Sequence, residues 1–185
     1  MKSEQRTSTQ NKNRTVNNFV LDASAIYNGV LSQNLPGRKF LPQCTLYEID
    51  GMLRGEAFKE QITNTDSVLV LDPENSSVII ITDKANSTGD IDELSDCDIQ
   101  ILALALDLKN KKQNPTIISD DYDIQNLARH LGLKCRGVHW KGITKLHEYF
   151  WLCTGCGTRS KEKQDICIEC GSPMKKKTLK KKIRK

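Results

Sequence analysis

An α/β fold with a parallel sheet, followed by a small zinc ribbon, is what three observations in the sequence predict. Short β-branched runs alternate with apolar segments at helical spacing through the first three-quarters of the chain. Those runs end repeatedly on aspartate, and four cysteines gather in two C-x2-C pairs near the C-terminus. Strands alternating with helices imply parallel pairing, with helices covering both faces of the sheet. In such sheets chemistry collects where strands end and helices begin.

The richest stretch is Pro115 to Leu131, PTIISDDYDIQNLARHL. Thr116-Ile117-Ile118-Ser119 reads as a buried strand. Asp120, Asp121 and Asp123 follow it, and Ile124, Leu127, Ala128 and Leu131 then recur at helical spacing. Carboxylates this crowded repel one another unless a cation or solvent screens them. Helix capping expects Asp120 as the cap, with Asp123 in the first turn. That leaves Asp121 without a structural duty.

Residues 1–17 are polar and aperiodic and read as a disordered arm. Asn18 to Leu21 is an apolar strand ending on Asp22, followed by the small residues Ala23-Ser24-Ala25. Gly29 and Pro36-Gly37 mark loops. Pro42 opens a helix through about Met52, with Leu46 and Ile49 on its inner face and Glu48 near that buried edge. Ser67 to Asp72 reads as the next strand. Val78 to Ile81 suits a strand by β-branching, yet Val78, Ile81 and Ala85 are helically spaced, Ser76 and Ser77 can cap, and Gly89 can terminate; helix is the expectation. Ser95 and Asp98 match the S-x-x-D capping pattern before a core helix from Ile99 to Leu108. Gly132 ends the helix after Pro115–Ser119, and Lys134 to Val138 forms a last strand.

The chain has 185 residues and a net charge of +5, but that charge is unevenly placed. Eight of its 28 Lys and Arg lie in residues 175–185, leaving 20 bases against 23 acids in a slightly acidic body. No apolar run approaches the roughly 20 residues that cross a bilayer. The first eighteen residues carry no apolar core segment, so neither a signal peptide nor a membrane partner is expected, and the cytoplasm is the expected compartment. Seven cysteines, with Cys44, Cys97 and Cys135 scattered singly, do not form the even framework of a secreted disulfide scaffold.

Asp22, Asp98 and Asp121 share a context at strand ends or helix starts, and Glu48 is placed to join them. Capping explains any one of these and explains four together poorly. Hard cations such as Mg2+ and Mn2+ are held by carboxylate oxygens, and such sites activate water and stabilise charge in phosphodiester cleavage. The sequence offers no P-loop and no nucleophile elbow, so a metal-dependent hydrolase leads. Cys153-Thr-Gly-Cys156 and Cys167-Ile-Glu-Cys170, ten residues apart, supply the four thiolates of a closed structural Zn2+ site. A redox C-x-x-C is the runner-up. Trp151, Ile166 and Ile168 are its expected small core. No chemistry is assigned to His130, His139 or His147.

Val20-Leu21-Asp22-Ala23-Ser24, Tyr47-Glu48-Ile49, Leu94-Ser95-Asp96-Cys97-Asp98 with Ile101 to Ala105, and Ser119-Asp120-Asp121-Tyr122 with Gln125-Asn126 resemble the PIN-domain nucleases. More narrowly, the ribbon after the acidic motifs resembles the archaeal-type Nin-one-binding branch of that family, endonucleases that mature the 3′ end of small-subunit ribosomal RNA. The resemblance implies a three-layer PIN fold with a sheet of four or five parallel strands over 18–148, a ribbon over 149–174 and a basic tail over 175–185. It implies that Asp22, Glu48, Asp98 and Asp121 bind Mg2+ or Mn2+ and that cleavage leaves a 3′-hydroxyl. Asp120 and Asp123 are secondary acids; closer relatives often carry a small polar residue in place of Asp123. Lys175, Lys176, Lys177, Lys180, Lys181, Lys182, Arg184 and Lys185 are the expected RNA contacts, with pre-ribosomal particle proteins as further partners. Competing readings are a non-catalytic RNA-binding assembly factor, a toxin-type PIN ribonuclease and a receiver-like phosphoacceptor.

Overall fold

The computed structural model describes residues 17–51, 55–64, 68–138 and 145–182; the expected arm up to residue 16, Met52, His139, Arg184 and Lys185 lie outside them. Five strands form one parallel sheet: β1 (Asn18–Leu21), β2 (Arg38–Leu41), β3 (Val68–Val70), β4 (Pro115–Ile118) and β5 (Lys134–Arg136), in the order β3-β2-β1-β4-β5. Six helices connect them: α1 (Ala23–Tyr27), α2 (Gln43–Asp50), α3 (Gly55–Thr63), α4 (Asn75–Thr88), α5 (Asp96–Asn110) and α6 (Tyr122–His130).

Side chains alternate across each strand, and the sheet sorts them into two cores. Val20, Phe40 and Ile117 face α4, α5 and α6, packing with Ile81, Leu102, Leu104 and Leu127. Phe19, Leu21, Leu41 and Ile118 face the other side, with Ile26, Ile49 and Ile62. The result is three layers, as the resemblance implies. The helix over Val78–Ile81 is α4, and Gly89 closes it at φ 77°. Its start differs from expectation: Ser77 does not cap it but donates to buried Asp107, 2.5 Å away, which also accepts from the Glu74 N–H. β2 and α3 carry no clear sequence signal. Arg38 and Lys39 open β2 with charge, and its inward residues show only once β1 and β3 flank it.

A second sheet, antiparallel and ordered β7-β6-β8, is built from β6 (Lys145–Cys153), β7 (Arg159–Ser160) and β8 (Met174–Lys182). Lys175 to Lys182, read from the sequence as part of a tail, are a strand paired with β6 along its whole length, from Lys145 opposite Lys182 to Cys153 opposite Met174. Neither 149 nor 175 is therefore a break: each lies inside a strand. β8 is an edge strand, and lysines there discourage edge-to-edge pairing.

This sheet docks on α6 through Asn126, whose side chain donates to the His147 carbonyl (3.0 Å) and accepts from the His147 N–H (2.8 Å), as a neighbouring strand would. Asn126 also donates to the wholly buried Asp90 (2.8 Å). Gly89 matters twice here, since a Cβ would lie 2.7 Å from the Tyr149 Cβ. Lys176 pairs with Glu93 (2.8 Å) beneath the Tyr149 ring. The ribbon core is Trp151, Cys153, Cys167 and Met174, whereas Ile166 and Ile168 are exposed, because the knuckle turns aim them outward.

Candidate active site

The strand order reverses between β1 and β4, and in open α/β sheets ligands bind beyond the C-terminal ends of the strands at such a point. The β1–β4 register sets Leu21 opposite Ile118, so Asp22 emerges beside Ser119. The Asp22 N–H donates to the Ile118 carbonyl (3.2 Å). Its Oδ2 accepts from Ser24 Oγ (2.5 Å) and Ser119 Oγ (2.8 Å). Ser119 Oγ in turn accepts from the Asp121 N–H (3.0 Å). One buried serine thus holds the ends of two strands in a fixed relation.

Asp121, not Asp120, caps α6: its Oδ1 accepts from the Asp123 N–H (2.7 Å) and the Ile124 N–H (3.3 Å). Asp120 accepts from the Val138 N–H (2.9 Å) and Asn28 Nδ2 (3.0 Å) instead. The expected cap is therefore one residue too early, because the chain leaves β4 with one more extended residue and ties it to the segment after β5. Asp98 caps α5 with Ser95 as the S-x-x-D pattern predicts, its Oδ2 accepting from both the Ser95 N–H and Oγ at 2.8 Å. α2 brings Glu48, which is more exposed than its spacing suggested.

Two of the four acids sense the charges of the others. Burial pushes the Glu48 carboxyl above its ordinary value, and the charges of Asp22 and Asp98 add to that. Burial likewise raises Asp98, with Asp121 and Asp22 adding and the Ser95 hydrogen bonds opposing. Asp22, Glu48, Asp98 and Asp121 are thus brought together, and capping does not exhaust them. The hydrogen bonds above fall on one oxygen of each aspartate, so the second oxygen remains to meet a cation. Carboxylate oxygens are the donors that hard divalent ions take, but among the described residues no three of these acids draw their oxygens as close together as the four cysteine sulfurs.

Asp123 stands slightly apart, its Oδ1 3.5 Å from the Tyr149 hydroxyl. Burial first, then Asp121, Glu93 and Asp90, push its carboxyl up to about 6. Asp72, another acid at a strand end, is spent on the Gln43 N–H at the start of α2 (2.8 Å). Ser24 and Ser119 are functional residues that spacing does not reveal. Only their position next to strand-end aspartates hints at them.

The sulfurs of Cys153, Cys156, Cys167 and Cys170 all lie within 4.8 Å of one another, a group that could hold a metal ion. Backbone N–H groups of Gly155 and Cys156 point at Cys153 Sγ (3.3 and 3.4 Å). Ser172 hydrogen bonds hold the Cys170 thiol down to about 6, favouring the thiolate that a metal requires.

Residues 19–108 match the family described as "PIN domain of ribonuclease". The chain is 40% identical to Endoribonuclease Nob1 of Pyrococcus abyssi over 118 residues, 63% of this chain and 70% of that one. It is 32% identical to Endoribonuclease Nob1 of Methanocaldococcus jannaschii over 170 residues, 90% of this chain and 80% of the relative. The chain belongs to the PIN-domain endoribonucleases of the Nob1 type. It is a hydrolytic endoribonuclease, and the five-stranded parallel sheet is the PIN scaffold. Ribonuclease VapC1 of Thermoplasma acidophilum is also similar, 32% identical over 158 residues, 85% of this chain and 77% of that one.

Proposed function

We propose that this chain cleaves precursor small-subunit ribosomal RNA at its 3′ end, leaving a 3′-hydroxyl, with Asp22, Glu48, Asp98 and Asp121 holding Mg2+ or Mn2+. At the switch point of the sheet, Glu48 feels the charges of Asp22 and Asp98, and Asp98 those of Asp121 and Asp22, and that convergence carries this reading. A divalent ion bound there supplies charge for the phosphodiester transition state and a more acidic water. Ser119 and Ser24 fix an oxygen of Asp22, and Ser95 fixes one of Asp98, so these two carboxylates are oriented before any ion binds. The four cysteines hold one structural Zn2+. The body is acidic, so the exposed lysines of β8 (Lys175, Lys177, Lys180 and Lys181) supply the attraction for phosphates. Among the described residues no helix is long and apolar enough to cross a membrane. A cytoplasmic site of action beside pre-ribosomal particles fits the reading.

The test is cleavage of a 3′-extended small-subunit RNA fragment in Mn2+, with mapping of the ends. Asp98→Asn should cost at least ~10²-fold in rate, the scale of losing one preorganised electrostatic group. Folding and RNA binding should persist. Wild-type speed at saturating metal would reduce Asp98 to a helix cap. The similarity to a VapC ribonuclease supports one other reading, a toxin-type enzyme. Faster cutting of transfer or messenger RNA than of the ribosomal fragment would favour it.

A further inference from the structure

Cys44 and Cys97 stand 53 residues apart in sequence, and in the fold they are joined as a disulfide with Cα atoms 5.7 Å apart. Their positions are informative. Cys97 immediately precedes Asp98 in the first turn of α5. Cys44 lies in the first turn of α2, four residues and so about one helical turn before Glu48, on the same face. The bond therefore fastens together the two helices that bring the third and fourth acids to a site whose other two acids come from adjoining strands. Beside it, Thr45 Oγ1 lies 3.7 Å from Cys97 Sγ, a weak contact for holding two helix starts. Asp22 and Asp121 need no such clamp, because the β1–β4 ladder and Ser119 already fix them. Glu48 and Asp98 have no ladder between them, and as like charges they push α2 and α5 apart.

We propose that Cys44–Cys97 is a reversible redox site that sets the metal affinity of the acidic cluster: tight when oxidised, weaker when reduced. This rests on the reading of those acids as metal ligands. The exchange partner is a small dithiol or a dithiol protein. Its thiolate attacks Cys44 Sγ, the more accessible sulfur, since Cys44 is half-buried and Cys97 is buried. The S–S bond breaks, its electron pair leaves on Cys97, and that thiolate takes a proton. The second thiol of the reductant then attacks its own sulfur in the mixed disulfide and releases Cys44, so the reductant ends as a disulfide and the protein carries two thiols. Oxidation runs the same steps backward. Intracellular disulfides are either redox-active or a stabilising device of hyperthermophiles. The location beside two ligand-bearing residues favours the first.

The experiment uses the full chain loaded with zinc, equilibrated in oxidised or reduced dithiothreitol, with zinc content checked so that the ribbon cysteines are known to be intact. Peptide mapping should find the Cys44–Cys97 link in the oxidised sample alone. Mn2+ titration should then show affinity about 10-fold tighter when oxidised, the scale on which outer-shell supports tune metal sites. Cys44→Ser should bind as the reduced protein does in both buffers. Cys135→Ser, which leaves the pair intact, should keep the difference. Failure of the link to form overturns the proposal, as does equal Mn2+ affinity in both states. If Mn2+ binds in neither state, the metal reading of the four acids fails as well, which separates the two outcomes.

Discussion

The largest fully buried side chains, among them Leu21, Ile26, Leu41, Ile101, Leu104, Ile118 and Leu127, all belong to the parallel-sheet unit. The antiparallel sheet of residues 145–182 has a core of Trp151, Cys153, Cys167 and Met174, two of them thiols of the proposed metal site. One region is held by apolar burial on two faces of a sheet, at roughly 25 cal/mol per Å2. The other lacks that reserve and relies on polar docking at its base and, on the proposed reading, on a metal at its tip. Asn126, Asp90, Gly89, Lys176 and Glu93 are the docking base, and none of them is a metal ligand. On the proposed reading, the rigid unit carries the acids that cut and the supported sheet carries the lysines that meet phosphate.

Removing the metal from the second region should separate the two most sharply. Structural zinc supplies on the order of 10 kcal/mol to small ribbons. Cys167→Ser should release it, and amides of residues 153–174 should then exchange freely while those of β1 and β4 keep their protection. Loss of protection in β1 and β4 would show that the ribbon and the parallel sheet melt as one unit.

A smaller effect is expected at the docking base. Asn126→Ala removes both links to the His147 backbone and leaves the buried Asp90 carboxylate with one partner fewer. The expected loss is about 3 kcal/mol, a fall in Tm of roughly 10 °C for a chain of this size. Hydrogen exchange should quicken first at residues 145–149. An unchanged Tm would mean that the ion pairs and the Tyr149 contact at Gly89 suffice to dock the sheet.

The mildest change is to the lysines. Deleting residues 175–185 would remove β8 and with it the ladder to β6, so substitution is the cleaner probe. Lys176 and Lys181 are paired with Glu93 and Glu148, which leaves Lys175, Lys177 and Lys180 as the better choices. Converting those three to glutamine should flatten the log–log salt slope of RNA binding by about 2, at roughly 0.7 per single-strand phosphate contact. Cleavage at saturating RNA should stay near wild type. Parallel salt lines for the two proteins would show that β8 uses its lysines as edge protection alone.

Local pattern determined a good deal of this protein. The α/β class, the strands running up to Asp22 and to Ser119, the capping box of Ser95 and Asp98 and the four-cysteine spacing are short-range signals, written within a few residues by periodicity and turn chemistry. Tertiary structure decided the rest. Which aspartate caps α6 depended on where the Val138 N–H and Asn28 lay, since they claim Asp120 and leave Asp121 for the helix. β2 became legible only between its neighbours. The lysine run became a strand because β6 offered it a partner from Lys145 to Cys153, a pairing set by the turn chemistry of the ribbon rather than by strand propensity. Cys44 and Cys97, 53 residues apart, meet because the fold packs the start of α2 against the start of α5. Spacing along a chain encodes contacts within an element, whereas contacts between elements are fixed by the sheet order that carries them.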